Sequence, residues 1–115
     1  PTNILNYMNL ASVATQAQQH GLAEQVLTTA TERFPDVAYL YGERAKLALV
    51  GCKFESFKQM AEKAYELEPM NVEWTLMLAV VARQSGNQEE MKKLIQRAND
   101  LAPGDPRVPD LNAPN

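Results

Sequence analysis

Apolar residues recur every three or four positions along most of the chain, in six blocks separated by Gly or Pro. That spacing is the signature of helices with one buried stripe. The first block predicts a helix over 4–19, with Ile4, Tyr7, Met8, Ala11, Ala14 and Ala17 on one face. Asn3 or Thr2 is placed to cap it, and His20-Gly21 to end it, since Gly tolerates the left-handed backbone of a helix stop. The second helix is expected over 22–34 (Leu22, Ala23, Val26, Leu27, Ala30, Phe34), stopped by Pro35, with Asp36 capping the next. The third runs over 37–50 (Val37, Leu40, Tyr41, Ala45, Ala48, Leu49) to Gly51, and the fourth over 53–68 (Phe54, Phe57, Met60, Ala61, Ala64, Leu67) to Pro69. Asn71 caps a fifth over 72–85 (Trp74, Leu78, Ala79, Val81, Ala82), ended by Gly86. Asn87 with Glu90 reads as a capping box for a sixth over 88–102 (Met91, Leu94, Ile95, Ala98, Leu101). Pro103, Gly104 and Pro106 close it, and Arg107 to Asn115 is expected to be extended or disordered. No segment sustains a period of two, so no sheet is predicted.

The blocks repeat. Pro35, Pro69 and Pro103 are spaced 69 − 35 = 34 and 103 − 69 = 34. The same interval links Ala11, Ala45 and Ala79; Ala14, Ala48 and Ala82; and Ala30, Ala64 and Ala98. A fixed period of this size marks a repeat protein. Each unit reads as helix, Gly turn, helix, Pro turn. Short turns make neighbouring helices antiparallel, and a lone hairpin is too thin to bury its apolar faces, so hairpins must stack.

Period, small residues and closing proline together resemble the tetratricopeptide repeat (TPR) family, over nearly the whole chain. The resemblance implies an all-α fold: a right-handed superhelical solenoid of three antiparallel helix hairpins, six helices in all. The repeats would be 4–37, 38–71 and 72–105, making one domain over 1–105, with 106–115 as a Pro-rich tail or linker. The family's early aromatic falls on Tyr7 and Tyr41 but on Thr75 in the third repeat, beside Trp74. Its mid-hairpin Gly is matched by Gly86, is one residue early at Gly51 and three late at Gly21, which implies a longer first helix in the first hairpin. Arg44 stands where an apolar residue is usual, between Leu10 and Leu78.

Composition narrows the function classes. Of 115 residues, 45% are hydrophobic and 22% charged, ordinary values for a globular chain of one modest core. A net charge of −3 gives no electrostatic footprint for nucleic acid or an anionic membrane, and counts against the RNA-binding pentatricopeptide repeats. No apolar run is long enough to cross a membrane. The single Cys52 cannot form an intrachain disulfide and fits a reducing compartment, the cytoplasm being favoured. The start at Pro1 and the Pro-rich end read as an excerpt of a longer protein.

Candidate chemistry is sparse. His20, the one histidine, and Cys52 both sit at predicted turns, without a base or acid at a meaningful spacing, and read as exposed turn residues. Glu66 with Glu68, and Glu89 with Glu90, read as solvated helix faces. There is no phosphate-cradling Gly loop and no metal-ligand spacing. The chain is therefore not expected to be an enzyme or to hold a cofactor.

The resemblance points instead to a groove lined by the first helix of each hairpin. Transferred by position, it offers Leu5, Met8, Asn9 and Ser12, with Thr15 and Gln16, from the first repeat. The second offers Tyr39, Glu43 and Lys46, with Gly42, Leu49 and Val50. The third offers Leu76, Met77, Val80 and Arg83, with Glu73 and Gln84. Some members of the family clamp the C-terminal carboxylate of chaperones with Lys, Asn and Arg. Here those positions hold Met8, Ser12, Glu43, Glu73 and Met77: the cations are missing and two carboxylates would repel an acidic tail, which implies no such clamp. Trp74 is expected to pack between the second and third hairpins rather than to serve as a hot spot. The expected function is a non-catalytic protein–protein interaction module or scaffold that takes a peptide or helix in a partly apolar groove. The alternatives are a self-association module, with a second copy as partner, and an accessory domain of an enzyme whose catalytic part lies elsewhere. The sixth helix carries more apolar residues (Met91, Leu94, Ile95, Ala98, Leu101) than one face can bury internally, and an uncovered patch there would favour self-association.

Overall fold

The structure, a computed structural model, describes residues 3–109. Thr2 and the tail beyond Pro109 lie outside the described residues. Six α-helices are described: α1 (Ile4–Gln16), α2 (His20–Arg33), α3 (Ala38–Val50), α4 (Phe54–Leu67), α5 (Val72–Gln84) and α6 (Gln88–Leu101). Among the described residues there is no strand. Consecutive helices pack in pairs, α1 on α2, α3 on α4 and α5 on α6, and α2 also packs on α3. The chain divides into two compact units, one ending at Leu67 and the other beginning at Glu68.

In the first unit the core is built from small and large residues in alternation. Ala23, Ala30, Ala45, Ala61 and Ala64 are fully buried and let helices approach closely, while Leu40 and Phe57 fill the space between. Tyr7, Ala11, Val26, Leu27, Ala30 and Leu40 form one cluster, onto which Ile4, Met8, Phe34, Val37 and Leu47 pack. Tyr7 meets Phe34 edge-on at 6.2 Å, a favoured aromatic geometry. Its hydroxyl accepts from the Arg33 guanidinium at 3.1 Å. Tyr41, one period later, donates its hydroxyl to the carbonyl of Pro35 at 2.9 Å, and Lys63 stands 6.0 Å above its ring. Arg44, the residue out of family pattern, is half-buried and donates to Thr31 Oγ1 at 3.0 Å, which satisfies the buried hydroxyl on α2.

In the second unit, Ala79, Ala82, Leu94 and Ile95 form the cluster, with Leu78, Met91 and Val108 packed against it. Asn71 caps α5, its side chain accepting from the amide of Glu73 at 2.8 Å. Asn87 caps α6, accepting from the amide of Glu90 at 3.1 Å. Trp74 is buried, and its indole N–H donates to Glu68 Oε1 at 2.9 Å, while Asn71 Nδ2 donates to the same oxygen at 3.1 Å. Glu68 is thus a structural acceptor rather than part of a merely solvated face.

Several expectations are corrected. α1 ends at Gln16, not 19, and is as long as α3 and α5, 13 residues each. His20 and Gly21 do not stop it; they are the first residues of α2. The left-handed residue in that turn is Gln18 (φ 59), and its counterparts are Cys52 (φ 58) and Gly86 (φ 78). These three positions are again 34 apart, so the hairpin turn keeps the period even where its glycine has moved. Asp36 is not the cap of α3; Val37 occupies that position, with no side-chain hydrogen bond. Ala17, Leu22 and Leu49, expected on buried stripes, are exposed. Nor is the α6 stripe left uncovered: Leu94, Ile95 and Ala98 are buried, Met91 and Leu101 are half-buried, and Val108 packs on the cluster that holds Leu94 and Ile95. Residues 105–108 are not extended. The amide of Arg107 donates to Asp105 Oδ1 at 2.9 Å, its guanidinium pairs with Asp105 Oδ2 at 2.7 Å, and it reaches Glu73 at 3.9 Å.

Candidate functional site

Two helical stripes in the first unit face a common cavity. From α1 come Met8, Ser12, Thr15 and Gln16, spaced by four, three and one; from α3 come Tyr39, Glu43, Lys46, Leu47 and Val50. Such spacings put side chains on one face of each helix. Ala11, Leu27 and His20 complete the lining, and the cavity holds about 350 Å³. It is mostly apolar at the base, where Leu27 is buried and Met8 half-buried, and carries polar groups at the mouth. Tyr39 is 43% exposed and Val50 63%, so each presents an apolar surface to an incoming group. Glu43 and Lys46, one turn apart on α3, form an ion pair at 3.5 Å. The pair is partly exposed, so it adds little stability, but it leaves the mouth with a balanced charge.

The cavity brings together Met8, Ser12, Tyr39, Glu43 and Lys46 of the expected groove, with Thr15, Gln16 and Val50. Leu5 and Asn9, though exposed, do not line it, and Gly42 is buried. The third-repeat residues lie on α5 in the second unit. There Leu76 and Val80 are half-buried, Arg83 is exposed, and Met77 is buried, its side chain used in packing. Trp74, 3% exposed, is likewise a packing residue and not a surface anchor. Glu73, read as a repelling carboxylate, stands near the Arg107 guanidinium.

Sequence reasoning missed His20 as a lining residue. The sequence places it at an exposed turn because the glycine after it resembles a helix stop. In the structure it opens α2 and is half-buried against the cavity. The signal available was the period itself, since His20 lies 34 before Phe54, the first residue of α4. Cys52 is exposed, as expected of a turn thiol.

A scan against known protein families and a comparison with curated proteins both find no match. Solved structures do match in fold. The TPR domain of Arabidopsis OM64 superposes with a TM-score of 0.79 at 21% identity, covering 91% of this chain and 87% of that one. The first TPR of Spaghetti (RPAP3), solved with the HSP90 peptide SRMEEVD, gives a TM-score of 0.82 at 17% identity, covering 91% and 83%. A mutant of MamA gives 0.74 at 22% identity, covering 90% and 76%. At these identities the likeness concerns fold: the chain is an all-α, helical-hairpin solenoid of the TPR-like type.

Proposed function

We propose that this TPR-like chain is a non-catalytic module that binds another protein, taking a short peptide or one helix of its partner into the cavity between α1 and α3. The observation that carries the reading is the cavity itself: about 350 Å³, with Met8, Leu27 and Leu47 inside it and Tyr39 and Val50 at its edge. That volume suits one or two apolar side chains, and Met adapts to their shape. A fold neighbour solved with a bound HSP90 peptide lends support to a peptide as the ligand class. Burial of apolar side chains supplies affinity, while the Glu43–Lys46 pair fixes orientation through hydrogen bonds at the rim. Leu5 and Asn9 on α1 remain proposed contributors to longer ligands at this cavity, and Leu76, Val80 and Arg83 are proposed as contacts of the α5 face taken by itself.

The test is a peptide-array screen followed by calorimetry on the best binder. Tyr39→Ala should weaken binding by about 1–2 kcal/mol while the unfolding midpoint stays put. Equal affinity in the variant would remove Tyr39, and with it the α1–α3 cavity, from the interface.

A further inference from the structure

The 34-residue period allows the same helical stripe to be compared in three settings. On α3 the stripe is Leu40, Arg44 and Leu47, and it faces α2. Leu40 is fully buried in the shared cluster, Leu47 packs on it, and Arg44 donates to Thr31 Oγ1 at 3.0 Å. On α5 the stripe is Trp74, Leu78 and Val81, of which Trp74 and Val81 are buried and Leu78 packs on the α5–α6 cluster. On α1 it is Asn6, Leu10 and Val13. Here Asn6 is exposed, Leu10 is 47% exposed and Val13 61%. Beside the stripe runs a groove of about 620 Å³ between α1 and α2, floored by Tyr7 and Val26 and rimmed by Leu10 and Leu22. Glu24 is the one charged residue lining it, and Lys53 pairs with it at 3.3 Å.

We propose that this edge of α1 and the α1–α2 groove form a self-association surface, on which a second copy of the chain docks about a two-fold axis. The covering element is prescribed by continuity with the α2–α3 packing: the equivalent stripe buries itself against a helix of an adjoining hairpin. A second copy supplies one, because its own α1 edge is equally open. Head-to-tail stacking on the α5–α6 cluster is disfavoured, since Val108 already covers that cluster. A closed two-fold arrangement needs a face that tolerates its own image. The groove meets that condition: an almost uncharged lining brings no like charges together. The surface is distinct from the α1–α3 cavity, so the two readings stand or fall separately.

The experiment is light scattering of the full 115-residue chain over a concentration series from about 1 µM to about 1 mM, spanning weak to moderate affinities. A concentration-dependent dimer is expected. Leu10→Glu should raise its dissociation constant at least about tenfold, a loss of about 1.4 kcal/mol. Val13→Lys, at a more exposed site, serves the same purpose should Leu10→Glu lose helicity by circular dichroism. Leu49→Glu, on the exposed end of α3 and lining neither the α1–α2 groove nor the α1–α3 cavity, should leave the dimer intact. A monomer at every concentration overturns the proposal, and is what a face reserved for some other hairpin would give. So does a dimer indifferent to both α1 substitutions, or one equally weakened by Leu49→Glu. Peptide affinity measured on Val13→Lys should match wild type, which keeps failure here separate from failure of the peptide cavity.

Discussion

At the scale of single residues, the hairpin turns show how a backbone requirement outlasts the residue that best meets it. Gln18, Cys52 and Gly86 occupy the same repeat position with φ of 59, 58 and 78. A side chain in this region clashes with its own backbone and costs about 1–2 kcal/mol relative to glycine's freedom. Glycine in turn loses more entropy on folding, by about 0.5–1 kcal/mol. Cys52→Gly should therefore stabilise the chain by about 0.5 kcal/mol, and Gly86→Ala should destabilise it by about 1 kcal/mol. Urea unfolding of the two variants checks both signs; a destabilised Cys52→Gly would mean the thiol has packing value that its exposure does not suggest. The same position explains a misreading. Gly21 pulls the expected stop of α1 toward itself, whereas the period points to Gln18; Gly51 does end α3 as expected, with Cys52 after it taking the left-handed turn. Asp105 makes a second residue-scale case. Hydrogen bonds from the Arg107 guanidinium and amide lower its carboxyl from the usual 3.8 to about 2. Because the folded value lies below the unfolded one, the stabilisation is complete above about pH 4 and is lost as the pH falls toward 2. An NMR titration of the Asp105 carboxyl should find its midpoint near 2, and a midpoint near 4 would mean that the Arg107 contacts do not hold in solution.

At the scale of elements, the described C-terminal segment forms the opening turn of a repeat without a helix among the described residues. Asp105 stands at the repeat position of Asn3, Val37 and Asn71. Its side chain accepts from Arg107 N at 2.9 Å, as Asn3 accepts from Leu5 N and Asn71 from Glu73 N, both at 2.8 Å. The next bond matches too: Val108 N donates to Asp105 O at 3.0 Å, as Asn6 N does to Asn3 O. Pro106 suits the first helical position. Then Pro109 arrives where Thr75 N donates to Asn71 O in the third repeat, and proline has no N–H to give. The beginning of a helix is thus formed and then stopped, which leaves Val108 at the repeat position of Leu40 and Trp74, packed on the α5–α6 cluster. Composition alone suggested a linker, since four prolines fall in the last thirteen residues. Their register, not their number, carried the information. Val108→Ala should cost about 1 kcal/mol by opening this cover. Thermal unfolding checks it; an unchanged midpoint would mean the contact is too loose to count.

At the scale of the whole molecule, the helix count, the pairing into hairpins and the TPR-like fold were legible because they depend on periodicity, which many residues report together. The site was legible only in part. Stripe arithmetic placed Met8, Ser12, Tyr39, Glu43 and Lys46 on one cavity, but could not tell that Met77 is spent on packing or that Glu43 and Glu73 stand beside cations. The burial of Met77 and the approach of Arg107 to Glu73 are tertiary facts with no local signature, whereas the Glu43–Lys46 pair, three apart on one helix, is a local one that the spacing allows. They also narrow the two reasons for expecting no carboxylate clamp, missing cations and repelling carboxylates, to the first. The chain carries −3 overall, yet the carboxylates of Glu43 and Glu73 are near Lys46 and Arg107. What disfavours a clamp at the α1–α3 cavity is therefore that Lys46, the Lys or Arg in its lining, is paired with Glu43, rather than repulsion. A charge-assisted hydrogen bond to such a group is worth about 1.5–3 kcal/mol, tenfold or more in affinity. On this reading, amidating the C-terminus of a bound peptide should change its affinity by less than about twofold, and raising the salt should do equally little, because long-range steering needs a field the cavity mouth does not have. Paired calorimetric titrations of the free-acid and amidated peptides make the comparison. A tenfold loss on amidation would reveal a carboxylate-binding cation, with Lys46 released from Glu43 as the first candidate.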